Sequence, residues 1–111
     1  RAFAAGIEAM GLRLIVDPLS RLPQLNAVGV PEGIDEAVVR AALLSQYDLE
    51  IGAGLGSLAG KIWRIGLMGY GASQKNVLLC LGALESVLSE QGVQIERGAA
   101  VQAANEVYRS A

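Results

Sequence analysis

A glycine-rich loop followed at once by an apolar strand occupies the middle of the chain, over residues 49–69. The segment has the sequence LEIGAGLGSLAGKIWRIGLMG. Its apolar start, Leu49–Ile51, predicts a short strand, and the glycines at 52, 54, 56 and 60 predict a loop. Residues 61–67 alternate between the two faces of a second strand. One face holds Trp63, Ile65 and Leu67, and the other holds Ile62, Arg64 and Gly66.

Two phosphate-binding motifs resemble parts of this loop, and both fail on context. Residues 54–59 fit the pattern G-x-G-x-x-A of dinucleotide-binding loops, but that fingerprint opens a helix and here a strand follows. Gly60-Lys61 resembles the end of a P-loop, but Leu55 stands where the first glycine is required and Ile62 replaces the required Ser or Thr. Glycines that permit positive φ or close packing explain the loop without a nucleotide.

Arg64 is the candidate binding residue, because it is a permanent cation between Ile62 and Gly66 on a mostly apolar strand. A buried charge without a partner is costly, so such an arginine pairs with an anion. A guanidinium group suits a carboxylate, whose two oxygens it can hold at once. The anion is either an Asp or Glu of the protein or a ligand, and the residues alone leave both open.

Composition excludes several classes of function. The 111 residues form one domain, 1–111, with 52% apolar and 18% charged residues. A net charge of −2 gives no basic surface for nucleic acid, and no apolar run is long enough to span a membrane. The absence of histidine removes the usual participants in metal sites and in Ser–His or Cys–His catalysis. The single cysteine, Cys80, suits a reducing compartment.

Local patterns predict the remaining elements in chain order. Before the central segment they are a helix ending near Met10 with Gly11 as its cap, a strand over 12–16, a connector over 19–25, a strand over 26–30, a turn over 31–34 and a helix from the cap Asp35 to Tyr47. After it come a turn over 70–72, a helix over 74–91 capped by Ser73 and ended by Gly92, and a helix over 99–108. Because the first helix starts without a capping residue, we expect the chain to be a piece of a longer protein.

The apolar spacing of the helices predicts which faces are buried. In the second helix we expect Val38, Ala41, Ala42 and Leu44 to face inward, with Arg40 and Gln46 in solvent. In the third, the stripe of Val77, Leu81, Leu84 and Leu88 is inward, with Cys80 beside it as a structural thiol. In the last helix the inward residues are Ala100, Val101, Ala104 and Val107. Arg21, in the connector, is expected to be a surface charge. These elements predict an α/β sandwich, a sheet of three or four strands with helices packed on one face.

Several short motifs together resemble the C-terminal domain of class V aminotransferases, in particular the alanine–glyoxylate and serine–pyruvate group. The central ones are Gly54-Leu55-Gly56, Gly60-Lys61, Arg64-Ile65-Gly66-Leu67 and Gly69, and the flanking ones are Arg21-Leu22-Pro23, Val30-Pro31-Glu32-Gly33 and residues 47–51. The resemblance covers about residues 1–91. Ser57 departs from it, because the family often has proline there.

The resemblance implies the small domain of a fold type I enzyme that depends on pyridoxal 5′-phosphate and acts as a homodimer. It implies amino transfer from alanine or serine to glyoxylate or pyruvate. The cofactor is expected to be held by a lysine and an aspartate of a large domain outside this chain, with no role for Lys61 or Lys75. No catalytic or cofactor-binding residue is expected here, and Arg64 is expected to bind the substrate carboxylate. Glycines 52, 54 and 56 would let the loop run close to the site.

Other activities remain open under the same resemblance. A sister transaminase acting on hydroxykynurenine or aminoethylphosphonate would share most of these motifs. A cysteine desulfurase is disfavoured because Cys80 falls within a predicted helix. A free-standing binding domain without catalysis is the alternative from a different class. The C-terminal residues 108–111 are not a peroxisomal signal of the Ser-Lys-Leu type, so we expect a cytoplasmic protein.

Overall fold

The computed structural model describes residues 2–15, 25–66 and 73–110. It contains four α-helices, four strands and one short 3-10 helix in those ranges. In chain order they are α1 (Ala2–Ala9), β1 (Leu14–Ile15), β2 (Leu25–Gly29), α2 (Glu36–Tyr47), β3 (Gly52–Ala53), the 3-10 helix (Gly56–Leu58), β4 (Ile62–Gly66), α3 (Gln74–Glu90) and α4 (Ala99–Ser110). The predicted α/β class, a small sheet with helices packed on it, is confirmed.

The four strands form one antiparallel sheet in the order β1-β2-β4-β3. β4 therefore lies inside the sheet, bonded to β2 on one side and to β3 on the other. Ala27 pairs with Arg64, and Arg64 pairs in turn with Gly52. The loop between β3 and β4 closes this antiparallel pair, and the 3-10 helix lies within the loop.

The helix ends follow the predicted local signals. The Asp35 side chain accepts a hydrogen bond from the Ala37 N–H at 3.0 Å and caps α2, and the Ser73 hydroxyl accepts one from the Asn76 N–H at 3.2 Å and caps α3. Gly11 and Gly92 follow α1 and α3 with φ of 80° and 97°, values that favour glycine. These capping predictions are confirmed.

One hydrophobic cluster joins the helices to a single face of the sheet. Trp63 and Ile65 of β4 belong to this cluster, and so does Val28 of β2. From the helices it includes Phe3, Ile7, Val39, Leu43, Leu81, Leu84, Ala100 and Ala104, among others. The predicted stripe of α3 is confirmed, because Val77, Leu81, Leu84 and Leu88 are buried. In α4, Ala100 and Ala104 are fully covered as predicted, whereas Val101 and Val107 are half-buried.

The predicted inner face of α2 is correct for Ala42, which is half-buried against the hydrophobic cluster, but wrong for Val38, Ala41 and Leu44. Val38 and Leu44 are 45% and 48% exposed, whereas Val39 and Leu43 are fully buried. The helix is turned about one residue from the predicted orientation, which is close to 100°. Its sequence contains apolar residues on both sides, so spacing alone did not decide which stripe faces the sheet.

The first strand of the segment over residues 49–69 lies later in the chain than predicted. Leu49–Ile51 has no strand pairing, and β3 is formed by Gly52–Ala53. Ile51 is buried at 8% exposure, so its apolar character reflects packing and not strand pairing. Several predicted features lie outside the described residues, namely the end of the first strand at Val16, most of the connector over 19–25 with Arg21, Leu67, and the turn over 70–72.

Cys80 lies in α3 and is 2% exposed. Burial raises the pKa of its thiol from 9.0 to about 11. The thiol is therefore protonated at neutral pH and unsuited to attack a substrate, as expected of a structural cysteine. Within the ranges that the structure describes, no helix combines the length and the apolar character needed to cross a bilayer.

Candidate functional site

The two faces of β4 differ sharply in their surroundings. Trp63 and Ile65 are 0% and 2% exposed and belong to the hydrophobic cluster under the helices. Arg64 projects from the opposite face, which we call the open face, and is half-buried with its Nε atom shielded from solvent. Ile62 on that face is also buried, but it lies outside the helix-side cluster. The predicted alternation of this strand is confirmed over residues 62–66.

Several bonds fix the backbone from which Arg64 projects. β4 is paired along both edges. The Trp63 indole N–H donates a hydrogen bond to the Glu36 carbonyl oxygen at 3.3 Å, which ties β4 to the first turn of α2. The Asn26 side-chain amide donates to the Ile65 carbonyl oxygen at 3.4 Å. A side chain on so constrained a strand can hold a ligand in a defined place.

Small residues border Arg64 on the open face. Ala27 is its partner on β2 and Gly52 its partner on β3, and we call these three residues the Arg64 row. One row further along the sheet, Gly29 pairs with Ile62. Ala27 is 6% exposed whereas Gly52 is exposed, so the surface beside the Arg64 stem is accessible on the Gly52 side.

The glycines of the β3–β4 loop have different roles. Gly56 and Gly60 have φ of 58° and 78° and make the turns around the 3-10 helix. A Cβ on Gly54 would overlap the Leu58 carbonyl oxygen and lie 2.7 Å from Ile62 Cγ1. Strand β4 follows the loop, so the context required of a dinucleotide-binding helix is absent from the described loop.

A groove of about 530 Å³ continues the open face toward β1. Two exposed cations, Arg13 and Lys61, line it together with the exposed carboxylate Glu32 and the apolar Ile15 and Ile62. Sequence spacing alone does not predict that these residues lie together. Their proximity depends on the pairing of β1 with β2 and on the path of the β3–β4 loop, and neither leaves a local signal in the sequence.

Arg40, which like Arg64 is half-buried, pairs with a carboxylate of its own helix. Its Nε donates to Glu36 Oε1 at 2.7 Å and its second guanidinium nitrogen donates to Glu36 Oε2 at 3.0 Å. This hydrogen bonding raises the pKa of Arg40. Glu36 lies four residues earlier in the same helix, so the pair is a local surface interaction whose contribution to stability is small.

The chain is similar in sequence to several aminotransferases. It is 51% identical over 110 residues to the (S)-ureidoglycine–glyoxylate transaminase of Bacillus subtilis, covering 99% of this chain and 26% of the relative. It is 45% identical over 83 residues to the alanine–glyoxylate aminotransferase of Callithrix jacchus, covering 74% of this chain and 20% of the relative. It is 37% identical over 106 residues to the L-aspartate–glyoxylate aminotransferase of Paracoccus denitrificans, covering 95% of this chain and 26% of the relative. No protein-family model matches the chain.

Solved structures agree with these relatives. The crystal structure of the ureidoglycine–glyoxylate aminotransferase from Bacillus subtilis matches 97% of this chain and 28% of its own, with a TM-score of 0.89 and 51% identity. That of the pyridoxamine–pyruvate aminotransferase from Mesorhizobium loti matches 98% of this chain and 28% of its own, with a TM-score of 0.86 and 32% identity.

The resemblance of the chain to the C-terminal domain of the class V aminotransferases is therefore confirmed. Its relatives include alanine–glyoxylate aminotransferases, as the resemblance implied. The chain spans about a quarter of the length of these relatives.

Proposed function

We propose that this chain is the C-terminal domain of a homodimeric aminotransferase that depends on pyridoxal 5′-phosphate and uses glyoxylate as amino acceptor. In this proposal Arg64 binds the carboxylate of the amino acid and oxo acid substrates. The observation that most directly supports the role of Arg64 is its place on the open face of β4, between Ala27 and Gly52. The acceptor is supported by the names of three relatives, all of which include glyoxylate.

In this proposal neither lysine of the chain, Lys61 or Lys75, binds pyridoxal phosphate. A lysine that binds such a cofactor works in an enclosed site that excludes water. Lys61 and Lys75, the two lysines of the chain, are both exposed. The cofactor, which supplies the electron sink for amino transfer, is therefore assigned to other parts of the intact protein.

The contribution of this chain to the reaction is positioning. A guanidinium group can hold both oxygens of a carboxylate, which restricts the rotation of a bound substrate as well as its location. The constraints on β4 make that anchor stiff, because its backbone is bonded on both edges and Trp63 ties it to α2. Holding a reactant in one orientation lowers the barrier by removing entropy before the chemical step.

The amino donor is either alanine or serine, as the resemblance implies, or ureidoglycine. Ureidoglycine is favoured by one observation, the 51% identity over 99% of the chain to the Bacillus subtilis enzyme. Both proposals share glyoxylate and the role of Arg64, and they differ only in the donor. Rates of amino transfer to glyoxylate from the three donors, measured with the intact protein, separate them.

Replacing Arg64 tests the binding role. We expect Arg64→Ala in the intact enzyme to lower kcat/KM for glyoxylate. The expected loss of transition-state stabilisation is roughly 2 to 5 kcal/mol, the size measured when one partner of a desolvated charge pair is removed. Arg64→Lys should recover little of this loss, because an ammonium group cannot bond both carboxylate oxygens in one plane. The absorbance of the bound cofactor should stay nearly unchanged.

Arg40→Ala is the matched control, since it also removes a half-buried arginine. Its partner is Glu36 on the same helix, so we expect kcat/KM to stay within about twofold of the parent enzyme, in line with the small value of such pairs. Equal kcat/KM for Arg64→Ala and the parent enzyme would remove the basis for the proposed site.

A further inference from the structure

The two sides of the Arg64 row are unequal. On the β2 side the partner is Ala27, a residue that is 6% exposed. On the β3 side the partner is Gly52, which has no side chain and is exposed. A Cβ built on Gly52 would lie 3.6 Å from Arg64 Cβ and 3.6 Å from the Arg64 carbonyl oxygen, with no other atom of the described chain within 4 Å.

Glycine is not required at position 52 by the backbone. Its φ is not among the left-handed values that occur at Gly56 and Gly60 of the same loop. The contacts that a Cβ would make are ordinary van der Waals contacts, unlike the overlap at Gly54. Glycine also weakens a strand, so its presence in β3 points to a need for space beside the strand.

We propose that Gly52 is a specificity-determining position of the carboxylate site. The space at position 52 that the described residues leave beside the Arg64 side chain accommodates the group attached to the carboxylate of the substrate, and the side chain at position 52 limits the size of that group. The inference rests on the proposed role of Arg64. It adds that the small size of this neighbour, and not only the guanidinium, decides which carboxylic acids fit.

The same geometry predicts an electrostatic effect. A side chain at position 52 projects on the same face as Arg64 and from the directly opposite strand position. Opposite charges at such cross-strand positions attract each other. A glutamate at position 52 would therefore place a carboxylate beside the guanidinium and compete with the carboxylate of the substrate, whereas a glutamine of the same shape would not.

Inhibition by simple carboxylates tests the size limit in the intact enzyme. Acetate and 3-methylbutanoate serve as probes, and their inhibition constants against glyoxylate are compared in the parent, Gly52→Ala and Gly52→Leu. We expect Gly52→Leu to weaken 3-methylbutanoate about tenfold more than acetate, the size of effect found when apolar pockets lose room for a few carbon atoms. Gly52→Ala should change the ratio of the two inhibition constants by about threefold in the same direction.

Gly52→Glu and Gly52→Gln form the charge-matched pair. We expect the KM for glyoxylate to be about two- to fivefold higher in Gly52→Glu than in Gly52→Gln, the size of effect of one favourable cross-strand charge pair. Circular dichroism and the thermal midpoint report whether each variant is folded. Gly52→Ala, which makes only ordinary contacts, provides the size test if the larger residues prevent folding.

The outcomes separate the two proposals. An Arg64→Ala variant with the parent kcat/KM would overturn the proposed role of Arg64, and the inference about Gly52 with it. A second outcome is that Arg64→Ala is impaired, while the ratio of the two inhibition constants is the same in the parent, Gly52→Ala and Gly52→Leu, and Gly52→Glu has the same KM as Gly52→Gln. In that case the inference about Gly52 is wrong and the proposed role of Arg64 stands.

Discussion

Within the five residues of β4, one face contributes to the core and the other presents a charged side chain. On the helix side Trp63 and Ile65 are almost completely covered and belong to the cluster that joins the helices to the sheet. On the open face Arg64 is half-buried and lies between Ala27 and Gly52. A strand with alternating side chains can thus contribute to the core with one set of residues and present a charged group with the other, without conflict between the two.

Replacing one residue on each face by alanine should give the largest difference in the free energy of unfolding. We expect Trp63→Ala to lower the free energy of unfolding by about 3 to 5 kcal/mol, because it leaves a large cavity under α2. Arg64→Ala should lower it by less than about 1 kcal/mol, because the residue contributes little to the helix-side core. Urea unfolding of the intact protein, followed by circular dichroism, measures both values.

Trp63→Phe is the control for the indole hydrogen bond. It keeps an aromatic ring in the core and removes the donor to the Glu36 carbonyl oxygen, so we expect a smaller loss, of about 1 to 3 kcal/mol. A loss for Arg64→Ala as large as that for Trp63→Ala would mean that the open face is part of the core.

The pH dependence of unfolding should report how well the helix side excludes water. The pKa of Cys80 is about 11 when folded and 9.0 when exposed, so the unfolded chain loses its thiol proton first as the pH rises. The free energy of unfolding should therefore fall between about pH 9 and pH 11, by at most about 3 kcal/mol from this group. Below pH 9 the group has no such effect.

The measurement compares unfolding at pH 8 and pH 10.5 in the parent protein and in Cys80→Ala. Subtracting the change in unfolding free energy of Cys80→Ala from that of the parent protein removes the contribution of tyrosines and lysines, which both proteins share. If the parent and Cys80→Ala lose the same free energy over this interval, the thiol is accessible to water in the folded protein.

Two helical glycines give a smaller and more local test of packing on the helix side. A Cβ on Gly6 of α1 would lie 2.5 Å from Leu81 Cδ1 and 3.0 Å from the Ala100 carbonyl oxygen, whereas one on Gly82 of α3 would lie 3.8 Å from Val101 Cγ2. We expect Gly6→Ala to lower the free energy of unfolding by about 1 to 2 kcal/mol through crowding. Gly82→Ala should raise it by about 0.5 to 1 kcal/mol through helix propensity.

Thermal midpoints of the two variants measure this difference. Gly82→Ala is the matched control, because both changes add one methyl group to a helix. Equal shifts of the same sign would show that α1 does not approach α3 and α4 as closely as the structure indicates.

Helix limits were predictable because caps are local. Asp35 and Ser73 bond to backbone N–H groups two or three residues away, so the information lies within one turn of sequence. The alternation of β4 was predictable for a similar reason, since the period of a strand is two residues. Both predictions used interactions whose partners are neighbours in the chain.

The orientation of α2 and the position of β3 were not predictable in this way. Val38 and Val39 are equally apolar, and only the packing of the helix against the sheet buries one and exposes the other. β3 consists of Gly52 and Ala53, which have low strand propensity, and is defined by its backbone bonds to β4. Tertiary contacts decided both cases.

The candidate site was predictable only in part. Arg64 stood out as a cation on an apolar strand, and the family resemblance implied what it binds. Its pairing with Gly52 depends on the register of β3 against β4, which the sequence analysis did not define because it assigned the strand to residues 49–51. The groove that Arg13 and Lys61 line depends on strand order in the same way.

The position of β4 inside the sheet has a consequence for how such an enzyme could be retargeted. A change to its backbone would disturb two ladders of hydrogen bonds, one with β2 and one with β3. β3 is two residues long and lies at the margin of the sheet, so substitutions there alter the surroundings of the guanidinium while the anchor itself stays fixed. Under the proposed role of Gly52, diversifying residue 52 in a library would therefore test other acids while the residues of β4 stay unchanged.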